Sequence, residues 1–217
     1  MNPAIKTVLF DLDGTIIDTN QLIIDSFMNI MHDVPLTRET IIPHMGTTLQ
    51  NQLRVFSGLE DVRELEKAYR TYNLAHHDSM VKPFPHVQEV VQDLYAAGIR
   101  LGVVTTKIRP TSMKVLEMFD LYRYMDAVIT VTDVENPKPH AEPVLKALER
   151  MGADPETALM VGDSPADIRS AQNAGVRSAA VAWSLKGESV LSGYNPDYML
   201  HDMRDLYKLT GTERREA

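Results

Sequence analysis

The stretch Val8-Leu9-Phe10-Asp11-Leu12-Asp13-Gly14-Thr15-Ile16-Ile17-Asp18 sets how the rest of the chain is read. Three apolar residues in a row, β-branched Val8 first, suit a strand covered on both faces. Two carboxylates two residues apart follow, and then a glycine. Side chains alternate faces along an extended chain. Asp11 and Asp13 can therefore serve one site only where the strand ends and the backbone bends, and Gly14 permits that bend. A carboxylate pair at a strand exit is costly to desolvate unless something neutralises it. A hard divalent cation such as Mg²⁺ does so, taking one or two carboxylates together with phosphate oxygens and water. The plainer alternative is an Asx-turn or a simple metal-binding loop at a strand end.

Size and composition narrow the field. A chain of 217 residues is one large domain or a domain carrying an insertion, and 44% apolar residues is ordinary globular usage. The net charge of −8 argues against nucleic acid and anionic membrane as partners. It also means that an anionic substrate needs local positive charge or a metal. With no cysteine, disulfide and thiolate chemistry are excluded, which fits a cytoplasmic protein. The N-terminal apolar run is short and meets Asp11, unlike a signal peptide, and no run approaches the length of a membrane span.

Outward from the opening stretch, residues 19–82 read as helices only. Leu22, Ile23, Phe27, Ile30 and Met31 share one face, as do Leu49, Leu53 and Phe56, and then Leu65, Ala68, Tyr69 and Tyr72. Gly46-Thr47-Thr48 reads as a turn, and Pro83-Phe84-Pro85 ends the block. From residue 86 helices and strands alternate. Strands are expected at 99–104, 127–131, 157–161 and 178–182, with a last edge strand within 194–200. Helices carry Val87 to Tyr95, Val115 to Phe119, Val144, Leu145 and Leu148, and Pro165 to Ala174, with a short one at 203–209. Ser164 caps the helix that starts at Pro165. Such alternation implies right-handed βαβ units, hence an α/β fold: a Rossmann-like parallel sheet with helices on both faces and a helical insertion. Sites in such sheets lie outside the carboxyl ends of the strands. Asp11 and Asp13, Thr105 and Thr106, and Asp163 each follow a strand directly, and Lys138 lies in a loop after one.

In this order the set resembles the motifs of the haloacid dehalogenase superfamily of aspartyl-nucleophile phosphatases. Asp11-Leu12-Asp13-Gly14-Thr15 is similar to its first motif and Thr105 to the hydroxyl residue of its second. Lys138-Pro139-x-x-x-Pro143 resembles the third, and Gly162-Asp163-Ser164-x-x-Asp167 the fourth. The second is weak as a string and rests on position. The resemblance spans the whole chain and implies a core of residues 1–18 and 83–217 with a mobile helical cap at 19–82. It implies Asp11 as nucleophile, Asp13 as general acid and base, and Thr105 with the amide of Thr106 on phosphate oxygens. Lys138 would balance charge, and Mg²⁺ would sit on Asp11, the carbonyl of Asp13 and Asp163. Each residue also has a plainer reading. Lys138 can be a surface lysine in a proline loop, Thr105 a strand-end hydroxyl bonded to its own backbone, Asp163 a helix-dipole partner, and Asp167 only half of a capping box.

Within the family the chain is most similar to a bacterial inorganic pyrophosphatase, through Phe10 to Asn20, Leu22-Ile23-Ile24 and Tyr69-Arg70-Thr71-Tyr72-Asn73-Leu74-Ala75-His76-His77-Asp78. This implies hydrolysis of pyrophosphate, including that released when serine-phosphorylated HPr is dephosphorylated phosphorolytically. Pyrophosphate offers a second phosphate and nothing apolar, so donors beyond the core set are needed. Lys107, Arg109, Arg70, His76 and His77 are the candidates, with Gly46 and Thr47 supplying backbone amides on closure. The alternatives are a phosphomonoesterase of the phosphoglycolate phosphatase type and a non-catalytic phosphate-binding protein on the same fold.

Overall fold

Strand β1 (Thr7–Phe10) lies inside a six-stranded sheet because every one of its side chains is buried. The computed structural model describes residues 3–214. Val8 and Phe10 enter one apolar cluster, while Leu9 enters another on the opposite face. The neighbouring strands β4 (Arg100–Val104) and β6 (Ala158–Gly162) divide their residues in the same way. This two-sided burial is what a continuous apolar run encodes.

After β1, a two-residue strand β2 (Ile17–Asp18) leads into the helices α1 (Asn20–Ile30), α2 (Arg38–Ile41), α3 (Leu49–Ser57) and α4 (Arg63–Met80). Strand β3 (Lys82–Pro83) then returns the chain to α5 (Val87–Ala96) and β4. The rest runs α6 (Arg109–Met118), β5 (Ala127–Ile129), α7 (Glu142–Met151), β6, α8 (Pro165–Asn173), β7 (Arg177–Val181), α9 (Glu188–Ser192), β8 (Tyr198–Leu200) and α10 (Asp205–Thr210). The sheet order is β5-β4-β1-β6-β7-β8, and every pairing in it is parallel. The chain builds outward from β1 through β4 to β5, then crosses to the other side for β6, β7 and β8. Where that direction reverses, the carboxyl ends of β1, β4 and β6 flank a crevice, the usual place for a ligand in an open α/β sheet.

The helical segment has an apolar cluster of its own, centred on Ile24, Phe27, Ile41, Leu53 and Tyr69. Phe27 meets the Phe56 ring edge-on at 5.0 Å. Among the described residues, Leu185 is the sole member of this cluster from outside residues 23–69.

Three expectations change. The pattern of residues 19–82 holds no strand, yet β2 pairs antiparallel with β3 at the ends of that block, Ile17 opposite Pro83 and Asp18 opposite Lys82. This ribbon joins the two connections to the helical segment, and two-residue strands are too short for any periodicity to show. The edge strand expected within 194–200 shortens to Tyr198–Leu200, and helix α9 precedes it. Leu145 points outward at 43% exposure, while Val144 and Leu148 on α7 are buried. Among the described residues no helix is long and apolar enough to cross a membrane.

Candidate active site

The acidic hinge forms because the β1 ladder runs one residue past the strand. Asp11 N still donates to the Val161 carbonyl at 2.8 Å, which fixes the Asp11 backbone between two parallel strands. The chain then turns: Gly14 has φ +84°, and its N–H donates to Ile17 O at 2.8 Å. A Cβ at Gly14 would lie 2.7 Å from the Asp163 carboxylate. Glycine is therefore required there both by backbone conformation and by the approach of a second acid.

Lys138 ties the hinge together. At 3% exposure its ammonium donates to Asp11 Oδ1 at 2.6 Å, Asp167 Oδ1 at 2.5 Å and the Val104 carbonyl at 2.9 Å. Three acceptors use all three of its protons. Burial disfavours its charge, but Asp11 and Asp167 hold the proton more tightly than in water and the pKa rises. Lys138 is thus no surface lysine.

Asp167 completes a capping box and also meets Lys138. Its Oδ2 accepts from Ser164 N at 3.0 Å and Ser164 Oγ at 2.6 Å, completing the capping box of α8, while Oδ1 takes Lys138. With both oxygens engaged, Asp167 stands behind Lys138.

Asp163, at the exit of β6, is different. It is 4% exposed, and its Oδ1 is buried without a hydrogen-bond partner. A buried, unpartnered carboxylate oxygen is a costly arrangement. Burial pushes the Asp163 carboxyl up to about 6. Asp11 is likewise raised well above its ordinary value, by burial first and by Asp167 and Asp163 next, against the pull of Lys138. Carboxylate oxygens of Asp11, Asp163 and Asp167 lie within 4.8 Å of one another. Because Asp167 is committed elsewhere, the donors free for a cation are Asp11 and Asp163. This oxygen-only set fits a hard divalent cation such as Mg²⁺.

A cavity of about 650 Å³ opens above the hinge, between the sheet's carboxyl edge and the helical segment. That volume is usual for a small-molecule site. Asp11, Asp13, Asp163, Thr105, Thr106 and Lys107 line its floor, and Gly46, Thr47, Thr48, Gln50, Asn51, Tyr69, Arg70 and Asn73 its opposite wall. The lining acids are Asp11, Asp13, Glu66, Glu135 and Asp163, against Arg70 and Lys107 as the lining cations. Both cations are already paired. Lys107 Nζ lies 2.9 and 3.2 Å from the two Asp13 carboxylate oxygens, and Arg70 forks onto Glu66 Oε1 at 2.5 and 3.0 Å. An anion entering here needs a metal or must draw these cations from their partners. Thr105 Oγ1 accepts from Lys107 N at 3.1 Å, which fixes the turn after β4 and leaves its hydroxyl proton available.

Three candidates for the second phosphate lie elsewhere. His76 is exposed, bonded to the Tyr72 carbonyl at 2.9 Å and stacked on the Tyr72 ring at 4.1 Å. The His77 ring is fully buried, with Nδ1 2.8 Å from Asp78, which also meets Lys114 on α6 at 2.7 Å. Neither lines the cavity. They follow Arg70 by six and seven residues, about 9–11 Å farther along the helix axis. Arg109 donates to Val128 O at 2.9 Å and Asp133 Oδ2 at 2.7 Å. The sequence reading also missed Ser184, whose Oγ donates to the Asp163 carbonyl at 2.7 Å. It lies just past the exit of β7, so the strand-exit rule that found the other groups pointed to it as well.

The central strand of a parallel sheet thus delivers Asp11 to the buried Lys138 and Asp13 to Lys107, with Asp163 arriving from the neighbouring strand, and likeness to known proteins gives this arrangement its class. The chain belongs to the haloacid dehalogenase-like hydrolase family, whose model matches residues 8–181. It is 45% identical over 216 residues to pyrophosphatase PpaX of Bacillus cereus strain AH820, covering 97% of this chain and 99% of that one. It is 46% identical over 207 residues to the Bacillus anthracis strain A0248 PpaX, at 93% and 94% coverage. A haloacid dehalogenase-like family hydrolase from Streptococcus pneumoniae superposes with a TM-score of 0.82 at 24% identity, over 94% of this chain and 97% of that one. Membership in a hydrolase family sets aside the non-catalytic reading.

Proposed function

We propose that the protein hydrolyses inorganic pyrophosphate to phosphate through a phosphorylated Asp11, with Mg²⁺ required. The observation that carries the reaction type is the Lys138 ammonium bonded to Asp11 at 2.6 Å beneath a cavity that the unpartnered Asp163 also lines. The near-full-length identity to proteins named pyrophosphatase PpaX favours the substrate. By the same likeness, the pyrophosphate would include that released by phosphorolytic dephosphorylation of serine-phosphorylated HPr.

Asp11 attacks one phosphorus in line with the bridging oxygen, the P–O bond to the leaving phosphate breaks, and a mixed anhydride forms on the Asp11 carboxylate. Asp13 gives its proton to the departing oxygen, then takes one from the water that attacks the bound phosphorus and releases the second phosphate. Thr105 Oγ and the Thr106 amide bind oxygens of the transferring group, and Lys138 offsets the charge gathered around Asp11. Mg²⁺, held by Asp11, the Asp13 carbonyl and Asp163, would neutralise charge on the transferring phosphoryl group. The leaving phosphate competes with Asp13 for Lys107 and with Glu66 for Arg70, while the turn at Gly46 and Thr47 offers backbone donors. In this reading residues 19–82 act as a cap on a core of 1–18 and 83–217.

Steady-state hydrolysis of pyrophosphate and of 2-phosphoglycolate, each with Mg²⁺ and with EDTA, tests the assignment. It predicts a higher kcat/KM for pyrophosphate and no turnover in EDTA. A preference for the monoester would refute the substrate.

A further inference from the structure

The segment from Trp183 to Gly187, leaving the carboxyl end of β7, touches three parts of the molecule: the backbone of Asp163, the helical segment and the connections that lead to it. Ser184 is 7% exposed. Its hydroxyl donates to the Asp163 carbonyl at 2.7 Å and accepts from Lys186 N at 3.2 Å. Its own N–H donates to Val181 O at 3.2 Å, and its carbonyl accepts from Gly187 N at 3.1 Å. Ser184 is therefore fixed on every polar atom, and it fixes the backbone of Asp163. The next residue, Leu185, is half-buried and packs against the apolar cluster of the helical segment. The preceding residue, Trp183, spans the connections to that segment. Its indole N–H donates to Thr15 O at 3.3 Å, just before β2, and its ring lies 5.9 Å from that of Phe84, just after β3.

From this juxtaposition we infer that Trp183-Ser184-Leu185 couples the helical segment to the Asp163 carboxylate, with Ser184 as a positioning residue and Leu185 as the contact that senses closure. The inference rests on Asp163 as a metal-holding residue. A shift of the helical segment carries Leu185 with it, because separating an apolar side chain from the packed surface it covers forfeits that contact. Leu185 is bonded to Ser184, so the shift reaches the Asp163 backbone through one hydroxyl. A closed cavity thus holds Asp163 at the hinge, and an open one loosens it. The cation and the closing of the cavity over an anion then favour each other, as linkage requires.

Trp183 is the one tryptophan of the chain, so the coupling carries its own fluorescent reporter. The test uses the full chain, Mg²⁺ alone followed by inorganic phosphate. Calorimetry measures Mg²⁺ affinity and Trp183 emission follows the linkers. In the wild type, phosphate added over saturating Mg²⁺ shifts the emission. Leu185→Ala keeps the Mg²⁺ affinity but loses most of that shift. Ser184→Ala weakens Mg²⁺ binding about tenfold, the scale of one lost hydrogen bond, and Ser184→Thr, which keeps the hydroxyl, recovers it. A Leu185→Ala protein with the wild-type emission response overturns the coupling. So does a Ser184→Ala protein that melts lower yet binds Mg²⁺ as the wild type does, or a wild type without an emission shift. A wild type that binds no Mg²⁺ overturns the metal assignment of Asp163, and the coupling with it.

Discussion

Replacing Lys138 by methionine keeps the length of the side chain and removes its charge. Three buried acceptors are then left without their donor. Asp11 and Asp167 lose the ammonium that each contacts at 2.6 Å or less, and the Val104 carbonyl loses its hydrogen bond. Removing one partner from a buried ion pair costs about 3–5 kcal/mol, because the charge left behind has neither water nor a counter-ion. For a chain of this size that is a fall of roughly 6–20 °C in Tm. The assay is urea or thermal unfolding in EDTA, so that a cation cannot substitute for the lysine. The loss should shrink as pH falls, since protonated carboxyls need no counter-charge. It should be largely relieved when Asp11→Asn and Asp167→Asn are added to Lys138→Met. A stability loss below about 1 kcal/mol, or one that persists after both carboxylates are removed, would refute the claim that Lys138 is the charge centre of the hinge.

Gly46 has φ +93°, and a Cβ there would lie 2.6 Å from Cβ and Oγ of Ser164, the buried cap of α8. Gly46→Ala should cut kcat/KM by roughly 5- to 150-fold through about 1–3 kcal/mol of strain, and lower Tm by roughly 2–12 °C; a kcat/KM within twofold of wild type in steady-state assays would contradict it. The pH dependence has a definite sign. In the metal-free protein burial lifts Asp163 to about 6 and Asp11 well above its ordinary value, so the folded state binds more protons than the unfolded one between about pH 4 and 6. Metal-free stability should therefore fall as pH rises through that window. The Tm gain from Mg²⁺, measured by thermal shift, should be larger near neutral pH than near pH 5, and an equal or smaller gain at neutral pH would contradict the reading.

The core was legible because its signals are local. The run Val8-Leu9-Phe10 is buried on both faces, as its apolar continuity says, and the acids, the hydroxyl and the lysine all sit at the carboxyl edge that alternating strands and helices imply. The pairing of Lys138 with Asp11 joins residues far apart in the chain, and only the order of the motifs hinted at it. The wall facing the hinge was harder to read. Arg70 lines the cavity while His76 and His77 do not, because helical phase and rise, not nearness in sequence, decide which side chains reach it. Nor does sequence show that Arg70 and Lys107 are already held by Glu66 and Asp13, since charge pairing depends on tertiary placement. Ribbon β2–β3 is too short to pattern, and the role of Leu185 depends on a contact that no periodicity encodes.

The most direct measurement is an acid quench of the enzyme during turnover of labelled pyrophosphate, followed by mass spectrometry of the peptide carrying residues 8–18. The account predicts one phosphoryl group on Asp11, formed within a single turnover and absent from Asp11→Asn, which stays folded but inactive. Turnover with no label on that peptide, or undiminished turnover in Asp11→Asn, would contradict it.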